Sequence, residues 1–409
     1  MVPREEGGLR SWTPRLKAVI VLCFLANLLC LLVRINVSIA APLISTEFGW
    51  DEARMGLVFS SFFAGYVLFM IPGGVLADRY GSRRVLAWGV GLWSVFSLAT
   101  ARSQSLAGLI LFRFLTGAAQ GVNFPCITNL IARRVPLVDR AKTQGFVLSG
   151  MVVGSVVGLP AGGWIVEAWG WPAVFWAFGG VGFLWVALWL RWTPQEPAAR
   201  VGHPRETGPP WRTFLTHPAP VGLTLSYFCH NYGSYFLLTW LPTYLVHVHG
   251  LSVTATGAAS ALPALASVVA MNASGWVGDS LVRRGRSTDF ARKVMLCGGM
   301  AGSGVFLFAL LGSPSPFAAV AWLTVSSAAR SLATPTYWTL AMDMAPRHAG
   351  ILSSIMNTSG NVAGVAAPML TGLLVAQSGT WGPSIALAAA VSLAGAAIAA
   401  PTVRASEIA

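Results

Sequence analysis

Acidic residues are scarce in this sequence, 14 among 409, and where they fall excludes more than their number does. Glu5, Glu6, Glu47, Asp51, Glu52, Asp78, Asp139, Glu167, Glu196, Glu206, Asp279, Asp289, Asp343 and Glu407 each lie in a loop, a tail or the edge of an apolar stretch. No apolar stretch carries a carboxylate in its interior. Paired-carboxylate acid–base chemistry and carboxylate proton relays inside those stretches are thereby excluded. The six histidines and five cysteines offer no metal-ligand spacing. Cys23, Cys30, Cys126, Cys229 and Cys297 all sit within apolar stretches, where a thiol usually acts as a small hydrophobe. There is no Ser-His-Asp set with a buried acid. No enzyme activity, cofactor or metal site is expected.

Charge of either sign is also thin, 10% of residues against about 25% in a soluble domain. What replaces it is apolar: 55% hydrophobic, with mean hydropathy +0.65. About 20 residues cross a bilayer as a helix. Twelve stretches qualify: 16–43, 54–76, 85–101, 106–132, 143–166, 172–190, 219–246, 253–277, 294–312, 316–342, 350–376 and 382–401. Lipid offers no hydrogen bonds, so spans are helices or barrel strands, and these are too long for strands. The expected fold is all-α and integral to the membrane.

The net charge of +13 does not point to nucleic acid, because the cations are sorted by side. With the first residues placed in the cytoplasm, 22 of the 27 Lys and Arg fall on that side. Arg54 and Arg102 fall on the other. Cationic loops stay cytoplasmic. The expectation is a multi-pass protein of an inner or plasma membrane with both termini cytoplasmic. Residues 1–15 are polar and charged, and the first apolar run is too long for a signal-peptide core, so no cleavable signal is expected.

The remaining three cations, Arg34, Arg113 and Arg330, lie inside apolar stretches. Intramembrane ionisable groups mark substrate or ion paths. Three cations without acids are most simply complemented by an anion that comes and goes.

The chain reads as two related halves, 1–190 and 219–409, joined by a cytoplasmic linker at 191–218 rich in Pro and charge. The linker is expected to be mostly extended, with a short helix in WRTFLTHP. GGVLADRYGSRR (73–84) after span 2 is matched by GWVGDSLVRRGR (275–286) after span 8. Pro125 precedes Pro136 by eleven residues, and Pro335 precedes Pro346 by eleven. Paired halves are the signature of transporters that rock around a central site.

These strings carry a family resemblance. GGVLADRYGSRR resembles the loop signature of the major facilitator superfamily. Its expected role is a conformational latch of Gly74, Asp78, Arg79, Gly81, Arg83 and Arg84. Asp78 would sit near a helix N-terminus and the arginine pair, and Gly74 would let two helices close up. Within the superfamily, VRINVSIAAPLI (33–44), GYVLFMIPGG (65–74), RFLTGAAQGVNFP (113–125), FCHNYGSYFLLTWLPTYL (228–245), DMAPRHAG (343–350) and NTSGNVAG (357–364) are similar to the anion:cation symporter family. That family includes sugar-acid transporters, sialin and the vesicular glutamate transporters. The resemblance implies twelve helices in two pseudo-symmetric six-helix bundles. It also implies a cavity lined by spans 1, 2, 4, 5, 7, 8, 10 and 11. Two departures stand out. Val33 replaces the Asp of proton-coupled relatives, and Gln120 replaces a Glu usual seven residues after the span-4 arginine.

Residues three, four or seven apart share a helix face. Arg113, Gln120 and Asn123 form one stripe. Tyr227, His230, Asn231 and Ser234 form another. Arg330, Thr334 and Tyr337 form a third, and Ser353, Asn357 and Asn361 a fourth. With Arg34 and Tyr66 these give the expected binding set: Arg34, Tyr66, Arg113, Gln120, Asn123, His230, Asn231, Arg330, Tyr337, Asn357 and Asn361. The arginines would grip carboxylate or phosphate, and Gln120, Asn123, Asn357 and Asn361 would read hydroxyls. Other roles stay open. Arg113 could snorkel. Tyr66, Asn357 and Asn361 fit interhelical hydrogen bonding. His230 fits a structural ring or a proton switch.

The expected function is a monomeric secondary transporter of small organic anions, by alternating access and without carboxylate-based proton coupling. A proton or chloride could accompany the anion. The alternatives are a proton symporter using His230 and a transporter-like anion sensor.

Overall fold

The computed structural model describes residues 13–136, 139–195, 211–313, 315–345 and 348–404. Among these, fifteen α-helices follow one another and no strand occurs. They are α1 (Pro14–Phe48), α2 (Glu52–Tyr80), α3 (Ser82–Thr100), α4 (Leu106–Gln120), α5 (Asn123–Arg134), α6 (Arg140–Trp169), α7 (Trp171–Trp192) and α8 (Trp211–Thr216). Then come α9 (Pro218–His249), α10 (Val253–Arg283), α11 (Thr288–Lys293), α12 (Gly299–Leu310), α13 (Pro316–Met344), α14 (Ala349–Ser378) and α15 (Gly382–Thr402).

The all-α, twelve-span expectation holds, with two spans built from pieces. In the fourth span α4 and α5 meet at Gly121–Val122. Pro125 supplies no N–H to the carbonyl four residues back, at Gly121, so the helix breaks there. Gly121 also meets the backbone of α2; an added Cβ would lie 3.0 Å from Tyr66 O and 3.1 Å from Met70 N. The ninth span joins α11 to α12 through a π-helical turn, Val294–Gly298. Eight spans among the described residues are long and apolar enough in themselves to cross a membrane. The helices α4, α9 and α13, which carry Arg113, His230 and Arg330, are not among these eight; α4 alone is 15 residues long.

By packing the chain forms two compact units. One comprises Met1–Ala40 with Ser61–His203, and the other Ala41–Ser60 with Pro204–Ala409. Residues 41–60, expected with the first half, cluster with the second unit for a local reason. Gly56 sits where an added Cβ would lie 2.8 Å from Pro368 O and 3.4 Å from the Gly372 Cα. Phe59 packs edge-on to Trp240 at 5.0 Å. Pro368 disturbs the carbonyl row one turn before it, and Val365 O there accepts from Ser60 Oγ at 2.7 Å. The expected short helix of the linker is α8, while residues 196–210, expected to be extended, lie outside the described residues.

In the first unit α2 and α4 cross at small residues, as membrane helices do when packing must replace the hydrophobic drive. A Cβ on Gly117 would collide with the Phe62 carbonyl oxygen, and one on Gly65 with the Phe114 carbonyl oxygen. Gly180 has open space around it. We expect Gly117→Ala to cost about 1–3 kcal/mol by overpacking and Gly180→Ala to cost nothing. Thermal unfolding in one detergent checks this, and equal midpoints for the two variants would disprove the crossing.

Candidate functional site

In the first unit, α1 presents Asn27, Cys30 and Arg34 at spacings of three and four, which stacks them on one face. The face meets α4 and α5. Arg113 is 2% exposed and takes all its hydrogen bonds from α1. Its Nη1 donates to Val33 O at 3.1 Å and Asn36 Oδ1 at 3.3 Å, and its Nη2 donates to Arg34 O at 3.3 Å. Asn36 is oriented for this role. Its Nδ2 donates to Ser97 Oγ at 3.4 Å, and Ser97 Oγ donates to Phe175 O at 3.1 Å. Arg113 is therefore a brace that holds α1, rather than a side chain reaching for the surface.

Arg34 lies one face-width away and is held differently. Its Nη2 donates to Cys30 Sγ at 3.9 Å. Its guanidinium carbon stands 4.9 Å from the Tyr66 ring centre, 5.2 Å from Phe62 and 6.0 Å from Phe63. The Arg113 guanidinium carbon lies 4.7 Å from the same Phe62 ring. One aromatic thus serves two cations, and cation–π attraction strengthens where water is excluded. The spans supply no carboxylate to share the task.

Gln120 and Asn123, expected to read hydroxyls, are engaged by α1. Gln120 Nε2 donates to Cys30 O at 2.9 Å, and Cys30 Sγ donates to Gln120 Oε1 at 3.1 Å. Asn123 Nδ2 donates to Asn27 Oδ1 at 2.7 Å, and Asn27 Nδ2 donates to Val147 O at 2.9 Å. Both amides tie helices together in this conformation. Cys30, assigned no role from the sequence, links Arg34 to Gln120.

The second unit carries its own cation. Arg330 is 6% exposed, and its Nη1 is buried without a hydrogen-bond partner. Gly233 makes room for it: a Cβ there would sit 3.3 Å from that nitrogen. His230 Nε2 lies 3.3 Å from Thr334 Oγ1, and its Nδ1 is buried without a partner. The ring stacks on Tyr227 at 5.8 Å and tilts against Tyr337 at 5.2 Å.

The other expected residues of this unit bond to neighbouring helices or to the turn before them on their own helix. Tyr337 is fully buried, with its hydroxyl 2.7 Å from Ser226 Oγ and donating to Ser226 O at 3.1 Å. Asn231 Nδ2 donates to Tyr227 O at 3.0 Å. Asn361 Nδ2 donates to Asn357 O at 2.9 Å, while its Oδ1 accepts from Tyr235 OH at 2.9 Å. Tyr235 was missed, although it follows Asn231 by four residues on the same face.

In the latch, Asp78 lies in the last turn of α2, four residues before the start of α3, and its partners are on α5: it accepts from Asn129 Nδ2 and pairs with Arg133 Nη2 at 3.3 Å. Arg83 instead caps the end of α7, donating to Thr193 O at 2.6 Å and Leu190 O at 2.7 Å, as cations near helix C-termini do. Arg79 lies over the Tyr80 ring at 5.4 Å. Gly81 takes φ 85° at the start of α3, a conformation that suits glycine. Close approach falls on Gly73, whose added Cβ would lie 2.8 Å from Val122 Cα; at Gly74 the nearest atom is 3.8 Å away.

Span-length helices with buried cations and basic loop latches define a polytopic membrane carrier. The Major Facilitator Superfamily model matches residues 23–368, and the chain belongs to that family of transporters, not to an enzyme family. It is 37% identical over 386 residues to "Probable anion transporter 4, chloroplastic" of Oryza sativa subsp. japonica, covering 90% of this chain. The match spans 65% of that relative's length. It is 35% identical to "Sodium-dependent phosphate transport protein 1, chloroplastic" of Arabidopsis thaliana, over 94% of this chain and 78% of the relative. It is 36% identical to "Ascorbate transporter, chloroplastic" of Arabidopsis thaliana, over 95% and 76%. A solved bacterial homologue of the human lysosomal transporter Spinster, inward-facing and occupied, superposes with TM-score 0.78 at 20% identity, over 95% of this chain and 94% of that one. At that identity the likeness concerns the fold.

The Gln120–Cys30 pair yields a test. In Gln120→Glu a carboxylate would replace the amide donor facing Cys30 O, near Arg34 and Arg113. The protonated acid restores the donor, the ionised acid does not. We expect the variant to transport best at acidic pH and to lose about tenfold, about 1.4 kcal/mol, at alkaline pH relative to the parent chain. An uptake profile from pH 5.5 to 8.5 that matches the parent chain would show that Gln120 does not report to the cations.

Proposed function

We propose that this chain is a transporter of small organic anions and that Arg34 is the principal grip. The observation that carries the reading is the pair Arg34 and Arg113, buried around one Phe62 ring in spans with no acid. Arg113 Nη1 and Nη2 are engaged by α1, while the Arg34 guanidinium lies against the Tyr66, Phe62 and Phe63 rings, and Arg34 is assigned the grip. A planar fork suits carboxylate or phosphate. Relatives named for phosphate, for ascorbate and for anions in general support the class. Within the second unit Arg330, with its buried unpartnered Nη1, is a further candidate for meeting an anion. In this reading the chain works as a monomer of an inner or plasma membrane, with its arginine-rich loops and both termini in the cytoplasm.

Coupling follows from the missing acids. Without a carboxylate in the spans, the carrier is a uniporter or exchanger driven by the substrate gradient and the membrane potential. The second reading gives the proton to His230, favoured by its buried, unpartnered Nδ1; a sensor would bind anion without accumulating it.

Two measurements in proteoliposomes test these readings. Arg34→Ala should abolish uptake while purified yield and unfolding midpoint stay near those of the parent chain, and Arg34→Lys should be poor because an ammonium is a point charge. Uptake by Arg34→Ala at the normal rate would refute the grip. Separately, exchange against internal substrate should persist with no pH gradient, and net accumulation should follow the potential, about 2.3 kcal/mol per charge per 100 mV. Uphill uptake driven by a pH gradient alone, and lost in His230→Gln while exchange survives, would replace the exchanger with a proton symporter.

A further inference from the structure

The loop between α2 and α3 leaves one arginine unused. Arg83 caps α7, Arg133 pairs with Asp78, and Arg134 Nη2 donates to Pro194 O at 3.1 Å. Arg84 is exposed and makes no hydrogen bond or ion pair among the described residues. It sits in the first turn of α3, where the helix dipole disfavours a cation, and that helix begins without a side-chain cap. Both features call for an anion.

Arg84 and Tyr80 stand at the mouth of a groove of about 540 Å³ between α2, α3 and α4. Its walls are Leu76, Trp88, Leu92 and Phe96, and its floor is the small pair Gly89 and Ala119. No acidic residue lines it. Trp88 is 72% exposed and Tyr80 51%, so the groove opens outward from the first unit. An apolar groove with a single uncommitted cation at its mouth matches the two ends of a lipid in charge and polarity. Basic pockets between membrane helices near the arginine-rich side take anionic head groups.

We propose that this groove seats one acyl chain of an anionic phospholipid, with the phosphate held by Arg84 and the uncapped start of α3. At the floor Gly89 lies directly against Val122 and Ala119 O, so the chain would lie over this close contact of α3 with the fourth span. Tyr80 and Trp88, each with an apolar body and a polar edge, fit the level where tails meet head groups. The site is separate from the Arg34 cluster and independent of what the carrier transports.

Native mass spectrometry tests it on the full chain, purified in micelles containing equal phosphatidylglycerol and phosphatidylcholine. The parent chain should retain one phosphatidylglycerol in several-fold preference to phosphatidylcholine. Arg84→Gln should equalise the two lipids. Leu115→Trp, which fills the groove without touching the charge, should lower retention of both; Leu92→Trp serves if that variant does not fold. Unfolding midpoints in phosphatidylcholine alone should match the parent chain in every variant used. Preference surviving Arg84→Gln would overturn the proposal. Displacement of the lipid by soluble glycerol phosphate would overturn the acyl seat, since the head group would then suffice. A second copy of the chain bound in place of lipid would overturn it in favour of a dimer face.

Discussion

A guanidinium buried in lipid without a carboxylate must find its acceptors among carbonyls, amides and rings, and Arg113 is where this chain meets that demand. Its three bonds all fall on residues 33–36 of α1. Carbonyl oxygens there already serve the helix, but each has a second lone pair. Removing the cation would take away three of the bonds between α4 and α1 and leave Asn36 Oδ1 without its donor. The position of Arg34 depends on this, because Arg34 contributes one of the carbonyls. On the proposed reading the two arginines are one construction, in which the guanidinium assigned to the anion is oriented by the one that holds α1.

The same economy governs the loops. Two charged groups of the α2–α3 latch meet specific complements: Asp78 has Arg133 and Asn129, and Arg83 has the carbonyl end of α7. Such contacts at exposed helix ends are individually weak. They are therefore suited to being made and broken as a carrier alternates, whereas the crossings at Gly65 and Gly117 are not. Rigid packing inside a unit and weak polar contacts at its rim are what rocking of bundles requires.

Much of this was legible in the sequence because lipid enforces it. A stretch such as 143–166 has to be helical wherever it packs, since its backbone has no other hydrogen bonds available. Arg34, Arg113 and Arg330 stood out for the same reason. The partners did not. Spacing placed Gln120 and Asn123 on the stripe of Arg113, and they do lie on that side. Whether a polar face meets a ligand or a neighbouring helix depends on tertiary approach, which spacing does not encode. Gln120 finds Cys30, and Tyr337 finds Ser226. Gly74 and Gly73 are likewise equivalent in sequence; the break at Gly121–Val122, caused by Pro125 on another helix, selects Gly73. The grouping of residues 41–60 with the second unit also follows from contacts across more than 180 positions of sequence, such as Ser60 with Val365.

Energy coupling follows from the same placement of charge. A family whose bundles rock about a fixed central site moves its central side chains little along the membrane normal. Cations fixed near that level therefore cross little of the field, and the potential acts chiefly on the anion as it enters and leaves. An internal carboxylate would alter this, because its protonation state would have to change for the empty carrier to return. Here the charge of the empty spans is set by arginines, which stay protonated at any ordinary pH. On the proposed reading the return of the empty carrier then needs no proton, only relief of a positive region. A second anion would provide that relief more fully than water does, which is the electrostatic basis for proposing exchange.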